Sequence, residues 1–543
     1  MATEKRTEPC SDILVVGAGI GGLKAAMDLS EAGRRVVLID KAFSIGGLMA
    51  RLDRTFPTNN CDLCTLSPQL SETGRQHHIE LLSGTQLSAV EGDAGRFSAS
   101  LTRAPRFIDL NRCTACGECY KRFPQWVRFT PGLDHRAPTC MRYPQATPYA
   151  FSVYPEAGAH LEELVRVCPA GAILTADRKR VETRRFGAII LAAGAGLFAP
   201  DRLDYLSRGL SPDVLTGLEY ERILSASGPT GGELIRPSDG KPPRRIAWIQ
   251  CAGSRGINAN DVSYCSSFCC MAAIKEAVVT RERFGNDIET SIFYMDIRTA
   301  GKDYELYYQR AIREYGVRFV RCRPHSVVRD DAGQLRISYL REENNRLETE
   351  PFDLVVLATG FRISPETEAL GRALGIEMNR HRFAATGGFS PVSTSRPGIY
   401  VCGTLESPKD IPETIVQSSA AACLAMQTAG PPEPDAGAGE EPAPERDVAG
   451  EPPRIGVFVC DCGFNIGGVI DVAAVVAHAA TLPGVLVAEM AGHGCSSAAM
   501  ERIASSIREK GLNRIVIGGC SPRTHEQLFQ NTLRKAGLNK YLV

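Results

Sequence analysis

The sequence predicts an α/β protein of two doubly wound, parallel-sheet lobes, interrupted by an inserted α+β module and followed by a small C-terminal α/β unit. Three observations carry this prediction. Residues Ile13 to Asp40 run strand, glycine turn, Ala-rich helix, strand; a second such unit starts at Arg245; and a Cys-rich segment with different periodicity separates them.

In the first unit the apolar strand Ile13 to Val16 enters Gly17, Gly19 and Gly22. Gly17 suits a tight turn, Gly19 a close backbone approach to a pyrophosphate, and Gly22 close helix–strand packing, with free N–H groups at the helix start. Asp40 ends the next strand where a carboxylate takes ribose hydroxyls, and Lys41 follows it. Gly46 and Gly47 form a second loop able to lie against a bound dinucleotide. A Gly-Gly there is a feature of two-dinucleotide flavoproteins and favours FAD over NAD.

At 543 residues the chain is long enough for about three to four domains. Its 62 basic and 62 acidic residues balance, which argues against a nucleic-acid footprint or a polybasic membrane patch. No apolar run reaches the ~18 residues of a membrane span, and the polar start MATEKRTEPCSD has no signal-peptide core, so a cytoplasmic protein is expected. Nineteen cysteines in such a chain point to metal binding or redox work rather than disulfides.

Most of the cysteines are clustered. Cys61 and Cys64 form a C-x-x-C with no further ligand residue nearby in sequence; a redox dithiol, a pair of metal ligands and two buried thiols all remain open. Ile79 to Ser100 alternates apolar and polar residues, as an antiparallel ribbon does. Cys113, Cys116 and Cys119 are spaced to cap one face of an iron–sulfur cube, and Cys168-Pro169 supplies the distal ligand. Phe123 precedes Pro124 where a two-cluster module would carry another Cys, so one cluster is expected here, with zinc the lesser alternative and Cys140 outside the ligand set.

The strand Phe186 to Ala193 ends on Gly194 and returns the chain to the first lobe, making the Cys-rich piece an insertion. In the second lobe the loop after strand IAWIQ has no glycine fingerprint. It carries Cys251, Cys265, Cys269 and Cys270 instead, and a cluster is expected where a nicotinamide would otherwise dock. The helix start is expected to favour their thiolates. A later strand meets Gly403 and Thr404 ahead of a helix; Thr404 stands where flavoproteins usually carry Asp. Beyond a Pro-, Ala- and Gly-rich acidic tether, the last unit places Cys460, Cys462, Cys495 and Cys520 toward the C-terminal ends of strands, as a metal site or a thiol-bearing interaction surface.

The resulting division is 11–103 for the first part of the FAD-binding lobe, 104–183 for the inserted module, and 184–243 for the return strand and a linker. The second Rossmann-like lobe takes 244–362, the last part of the FAD lobe 363–428, a disordered linker 429–453 and the Cys-containing unit 454–543. The chain stops at Val543 without an obvious helix cap, and is expected to be a fragment or one part of a split protein.

GAGIGGLKAA, TFPTNNCDLCTLSPQL, CTACGEC, CAGSRG with YCSSFCCMAAIKEA, RIGVFVCDCGFNIGGVID and CSPRTHE together resemble the A subunit of heterodisulfide reductase. The unit that usually opens that protein stands last here. The resemblance implies a two-dinucleotide-binding-domain, thioredoxin-reductase-like flavoprotein with a ferredoxin-like insert. It implies FAD and two [4Fe–4S] clusters, with the C-terminal cysteines offering a third, and electron transfer with bifurcation as an option. Implied partners are other redox subunits of such a complex and ferredoxin or hydrogenase-type carriers, in a hetero-oligomer that can contain two copies of this chain. The alternatives are an NAD(P)H-dependent disulfide oxidoreductase using Cys61 and Cys64, and a scaffold with vestigial cofactor sites.

Overall fold

The computed structural model describes residues 9–123, 146–153, 155–198, 203–256, 261–285, 287–341, 345–432, 443–462, 466–520 and 522–543. Cys140 and residues 433–442 of the tether lie outside them.

The first lobe is a five-stranded parallel sheet in the order Ile399–Val401, Ala188–Leu191, Ile13–Val16, Val36–Asp40, Ile79–Ser83. Its central strands are apolar throughout because both faces are covered. Ile13, Leu14 and Val15 have no exposure, and each such side chain contributes about 1.5–3 kcal/mol. Helices Ile20–Glu31 and Ile411–Thr428 pack together over one face. An antiparallel sheet of Thr85–Glu91, Phe97–Arg103 and Arg180–Phe186 covers the other through Phe97, Leu101 and Phe186.

This corrects the ribbon expected over Ile79 to Ser100. Ile79–Ser83 pairs residue for residue with Val36–Asp40 in the parallel sheet, and only the strands after it are antiparallel. An edge strand covered on one face reads with the same period of two as a ribbon.

The second lobe is also parallel, in the order Arg318–Arg321, Glu289–Tyr294, Arg245–Ala252, Leu354–Thr359, Val214–Thr216. The boundary at 244 is therefore corrected. Val214–Thr216 and the helix Gly217–Leu224, which Thr216 caps in a capping box with Glu219, belong to this lobe although they lie in the stretch expected to be return strand and linker. A three-residue strand is too short to show a period.

Between the lobes runs a two-stranded antiparallel ribbon, Gly196–Leu197 with Phe361–Arg362, extended by the Phe198 N–H donating to Gly360 O at 2.8 Å.

In the C-terminal unit the strand Ile455–Cys460 lies between Val485–Gly492 and Arg514–Gly518, all parallel. Helices Val472–Ala479, Ser497–Glu509 and Pro522–Lys535 complete it, and the last packs on helix Asp62–Thr73 of the first lobe. The linker expected over 429–453 is corrected in its second half. Val448 is buried in this unit's core, and the Arg446 N–H donates to Gly537 O at 2.9 Å. One apolar residue within a Pro- and acid-rich run gives no periodicity to read. No helix among the described residues is long and apolar enough to cross a membrane.

Candidate functional site

A cleft of about 1810 Å³ opens between the two lobes, beyond the ~1,000 Å³ typical of small-molecule pockets. Gly17, Gly19, Asp40, Lys41, Gly47, Gly194, Gly403 and Thr404 line it. Gly22 and Gly46 shape it without lining it.

At Gly17 the backbone is left-handed (φ 101°), and a Cβ would stand 2.4 Å from Ala192 O, so only glycine fits. A Cβ on Gly22 would reach 1.7 Å from Gly17 O, so the turn and helix close on each other here. A Cβ on Gly19, in contrast, would meet only Gly47 Cα at 3.8 Å. Gly19 and Gly47 thus present bare backbone to the cleft. The helix Ile20–Glu31 that follows has no side-chain N-cap, which leaves its first N–H groups for an anion.

Asp40 does more than the ribose role expected of it. One of its oxygens accepts the Ala18 N–H at 2.8 Å and the other the Ala42 N–H at 2.7 Å, so it clamps the turn to the next loop. A carboxylate has further lone pairs, and its place in the wall leaves it able to take a hydroxyl. Lys41 pairs with Glu366 at 2.5 Å in an exposed bridge. The Thr404 hydroxyl accepts the Ala195 N–H at 2.8 Å, tying the Gly194 turn to the Gly403 turn. The Gly403 N–H donates to Gln417 Oε1 at 2.7 Å, and Lys409 Nζ donates to Gly403 O at 2.9 Å.

Three wall residues were missed in the sequence: Glu221, Lys275 and Glu276. Lys275 is ion-paired with Glu221, both almost fully buried. Glu276 accepts the Trp248 indole N–H at 2.8 Å, and burial, then Glu221, pushes its carboxyl up. Behind them Arg283 pairs with Asp53 at 2.9 Å; burial pushes the Asp53 carboxyl up to about 6 against the pull of Arg283. Asp62 is fully buried, and burial likewise holds its carboxyl well above the ordinary range. The available signal was Lys275-Glu276 within the apolar run MAAIKEAVV, where charges are out of place unless paired.

Fourteen of the nineteen cysteines fall into three groups. Cys113, Cys116, Cys119 and Cys168 line one cavity, walled by Ile108, Phe151 and Ile173. Cys168 Sγ accepts the Ala172 N–H at 3.3 Å, and burial pushes the Cys119 thiol up to about 12.

The second group sits where strand Arg245–Ala252 gives way to helix Cys269–Phe284. Cys251 is left-handed (φ 58°), with Arg255 3.9 Å from its sulfur. Cys265 Sγ accepts the Ser267 N–H at 3.3 Å. Cys269 lies 3.8 Å from Thr359 O, and Cys270 3.9 Å from Asp296 O. Burial pushes up the thiols of Cys251, Cys269 and Cys270, the last to about 11, and the neighbouring thiols of the group add to each rise. Among these four, Cys269 alone lines the cleft.

The third group joins Cys460, Cys462 and Cys495, all buried, to half-buried Cys520, Cys61 and Cys64. Neither Cys61 nor Cys64 lines the cleft, so the C-x-x-C does not face the space where a nicotinamide-reduced flavin would sit. Cys64, then His525, draws the Cys520 thiol down to about 5, while Cys520 and Cys61 push Cys64 up. Among the described residues no three His, Cys, Asp or Glu side chains gather closely enough for a single metal ion.

Known proteins resemble this arrangement. Residues 15–82 match the family model of the NAD(P)-binding Rossmann-like domain, and residues 287–422 that of pyridine nucleotide-disulphide oxidoreductase. The chain is 38% identical over 420 residues to an iron-sulfur A subunit of CoB–CoM heterodisulfide reductase from Methanopyrus kandleri, covering 76% of this chain and 63% of that protein. With the corresponding iron-sulfur protein of Methanocaldococcus jannaschii the identity is 37%, over 77% of this chain and 64% of the other. The A subunit of the ferredoxin:CoB–CoM heterodisulfide reductase of Methanosarcina mazei is 35% identical, over 77% and 53%. Among solved structures, thioredoxin reductase of T. acidophilum overlaps with a TM-score of 0.44 at 12% identity, over 77% of this chain and 98% of that one. The chain spans a little under two thirds of the length of the first two relatives. In its two Rossmann-like lobes, and over three quarters of its length, the chain is similar to the A subunits of the heterodisulfide reductases.

Proposed function

We propose that this chain is a flavin- and iron–sulfur-dependent electron-transfer subunit of a heterodisulfide-reductase-like complex. The observation that carries the reading is Cys269: it belongs to the four-thiol group of the second lobe and also forms part of the wall of the cleft. A dinucleotide in the cleft and a cluster on those thiols are then neighbours. FAD is held by the Gly17, Gly19 and Gly22 turn, Asp40, Lys41, Gly46, Gly47, Gly194, Gly403 and Thr404. One [4Fe–4S] cluster sits on Cys113, Cys116, Cys119 and Cys168, and another on Cys251, Cys265, Cys269 and Cys270. Such groups, when bound, supply paired and single electron transfers; the protein's part is position and potential.

The residues fit that part. Gly19 and Gly47 admit a pyrophosphate to the backbone, and Asp40 fixes the turn that holds it. Buried Lys275 and Glu276 give the cleft a fixed electrostatic wall that needs no rearrangement when charge appears beside it. Partners of this class are other redox subunits and ferredoxin or hydrogenase-type carriers, in a hetero-oligomer in the cytoplasm, where thiols stay reduced. Bifurcation, in which one donor's electron pair divides between two acceptors, is tested by whether the assembled complex reduces both acceptors only together.

Anaerobic purification with flavin, iron and sulfide counts tests the reading. A Cys269→Ala, Cys270→Ala double variant is expected to lose about four iron atoms per chain, the content of one cube, and to lose one paramagnetic signal after reduction. NADH and NADPH are expected to leave the isolated chain's flavin oxidised. Rapid bleaching by either, or unchanged iron in the double variant, overturns the assignment.

A further inference from the structure

We propose that Gln250 and Ser254, the buried polar side chains on either side of Cys251, donate hydrogen bonds to the sulfur atoms of an iron–sulfur group held by Cys251, Cys265, Cys269 and Cys270, and so set its potential. Their role rests on the reading of those four thiols given above, and neither residue binds iron itself. Among the described residues Gln250 Nε2, Gln250 Oε1 and Ser254 Oγ have no hydrogen-bond partner, although the two residues are only 2% and 3% exposed.

Both side chains stand within the thiol group. Ile246 and Trp248 belong to the core under helix Cys269–Phe284, and Ala247 and Ile249 to the core on the sheet's other face, so the alternation of the strand turns Gln250 toward the helix. Trp248 donates to Glu276 at 2.8 Å. Two residues further along the strand, about 6.6 Å, correspond to about four residues back along the helix, in the turn that begins with Cys269. Ser254 follows the left-handed Cys251, its N–H donating to Cys251 O at 3.0 Å. A Cβ on Gly360 would stand 3.1 Å from Ser254 Oγ, and the carbonyl of the neighbouring Thr359 lies 3.8 Å from Cys269 Sγ.

The charged donors beside Cys251 are already committed. Arg255 pairs with Asp296, and Arg323 pairs with Asp261 at 2.9 Å while donating to Cys251 O and Ser254 O at 3.4 Å. That leaves a neutral amide and a neutral hydroxyl. A buried amide or hydroxyl without a partner is costly, and packing alone would be served better by an apolar side chain of the same size. Four thiolates around a cube form an anion whose charge deepens with each electron taken up. N–H and O–H groups beside its sulfurs stabilise that charge and raise the potential. The donors keep their protons, so no proton moves with the electron.

The test uses the full chain, purified without oxygen and titrated with a low-potential reductant while the paramagnetic signal lost in the Cys269→Ala, Cys270→Ala variant is followed. Gln250→Met and Ser254→Ala are each expected to keep their iron and to shift that signal's midpoint potential downward. In the Gln250→Met, Ser254→Ala double variant the reduced-to-oxidised ratio at a fixed poise should fall about tenfold, which is about 59 mV for one electron. Thr290→Val is the control. Its hydroxyl is also buried and without a partner among the described residues, but Thr290 pairs with Ile246, at the opposite end of strand Arg245–Ala252 from Cys251. It is expected to leave the potential unchanged. An unchanged or raised potential in iron-replete Gln250→Met or Ser254→Ala overturns the donors, as does an equal fall in Thr290→Val. If one variant fails to hold iron, the other alone decides. Iron that the Cys269→Ala, Cys270→Ala variant retains in full overturns the cluster itself, and the donors with it.

Discussion

The two lobes repeat one plan and differ in the turn between its strand and its helix. In each, a parallel central strand runs into a turn and then a helix that packs back on the sheet. In the first, the turn is Gly17-Ala18-Gly19, too small to fill the space before the helix, and bare backbone faces the cleft. In the second, the segment between strand and helix is longer, and thiols stand at its two ends, Cys251 and Cys269-Cys270. The same scaffold thus carries bare backbone at one turn and thiols at the other. The second lobe also serves the first, since its helix Cys269–Phe284 supplies Lys275 and Glu276 to the cleft wall.

The largest expected effect tests that service. Lys275→Met removes the cation from Glu221 while leaving the carboxylate buried, which costs about 3–5 kcal/mol. Chemical denaturation monitored by Trp fluorescence should show it, because buried Trp248 bonds to the adjacent Glu276. A loss below ~1 kcal/mol would mean that this buried pair contributes little to holding the wall.

Next in size is the seam between Asp53 of the first lobe and Arg283 of the second. With the folded carboxyl at about 6 and the unfolded one near 3.8, the folded chain binds the extra proton between those values. Stability should therefore fall as pH rises from about 4 to about 6, by on the order of 2–3 kcal/mol, and be flat in this respect above it. Asp53→Asn should flatten that slope in denaturation series across the window; an unchanged slope assigns it to other carboxyls.

The smallest effect on stability is the most diagnostic. A Cβ at Gly19 meets nothing closer than Gly47 Cα, so in Gly19→Val melting should shift by only a few degrees, about 1 kcal/mol. Flavin content should nevertheless fall at least tenfold, since the side chain fills the approach to the backbone. A variant that keeps full flavin would separate the first lobe's turn from its assigned ligand.

Much of this was legible because local chemistry and global fold agree in it. Ile13 to Asp40 shows its whole βαβ unit in one window, and Cys113, Cys116 and Cys119 declare their spacing within seven residues. What escaped was either too short or too distant. Val214–Thr216 gives no period, yet it forms the edge of the second sheet. Cys61 and Cys64 have no ligand nearby in sequence; their neighbours arrive from Cys520, 456 positions from Cys64. Lys275 and Glu276 gave one sign, two charges inside the apolar run MAAIKEAVV, but their partners are set only by tertiary packing.

The ribbon of Gly196–Leu197 with Phe361–Arg362 gives the lobes a mechanical relation as well as a covalent one. A single connecting strand would act as a swivel, free in every direction. Two strands hydrogen-bonded side by side act as a strap: stiff to sliding within its own plane, compliant to torsion about its length. Motion of one lobe against the other is thereby channelled toward twisting about that strap. The strap borders the cleft through Gly196, Leu197 and Phe361, so such a twist alters the gap between the Gly19–Gly47 wall and Cys269 while each wall stays rigid.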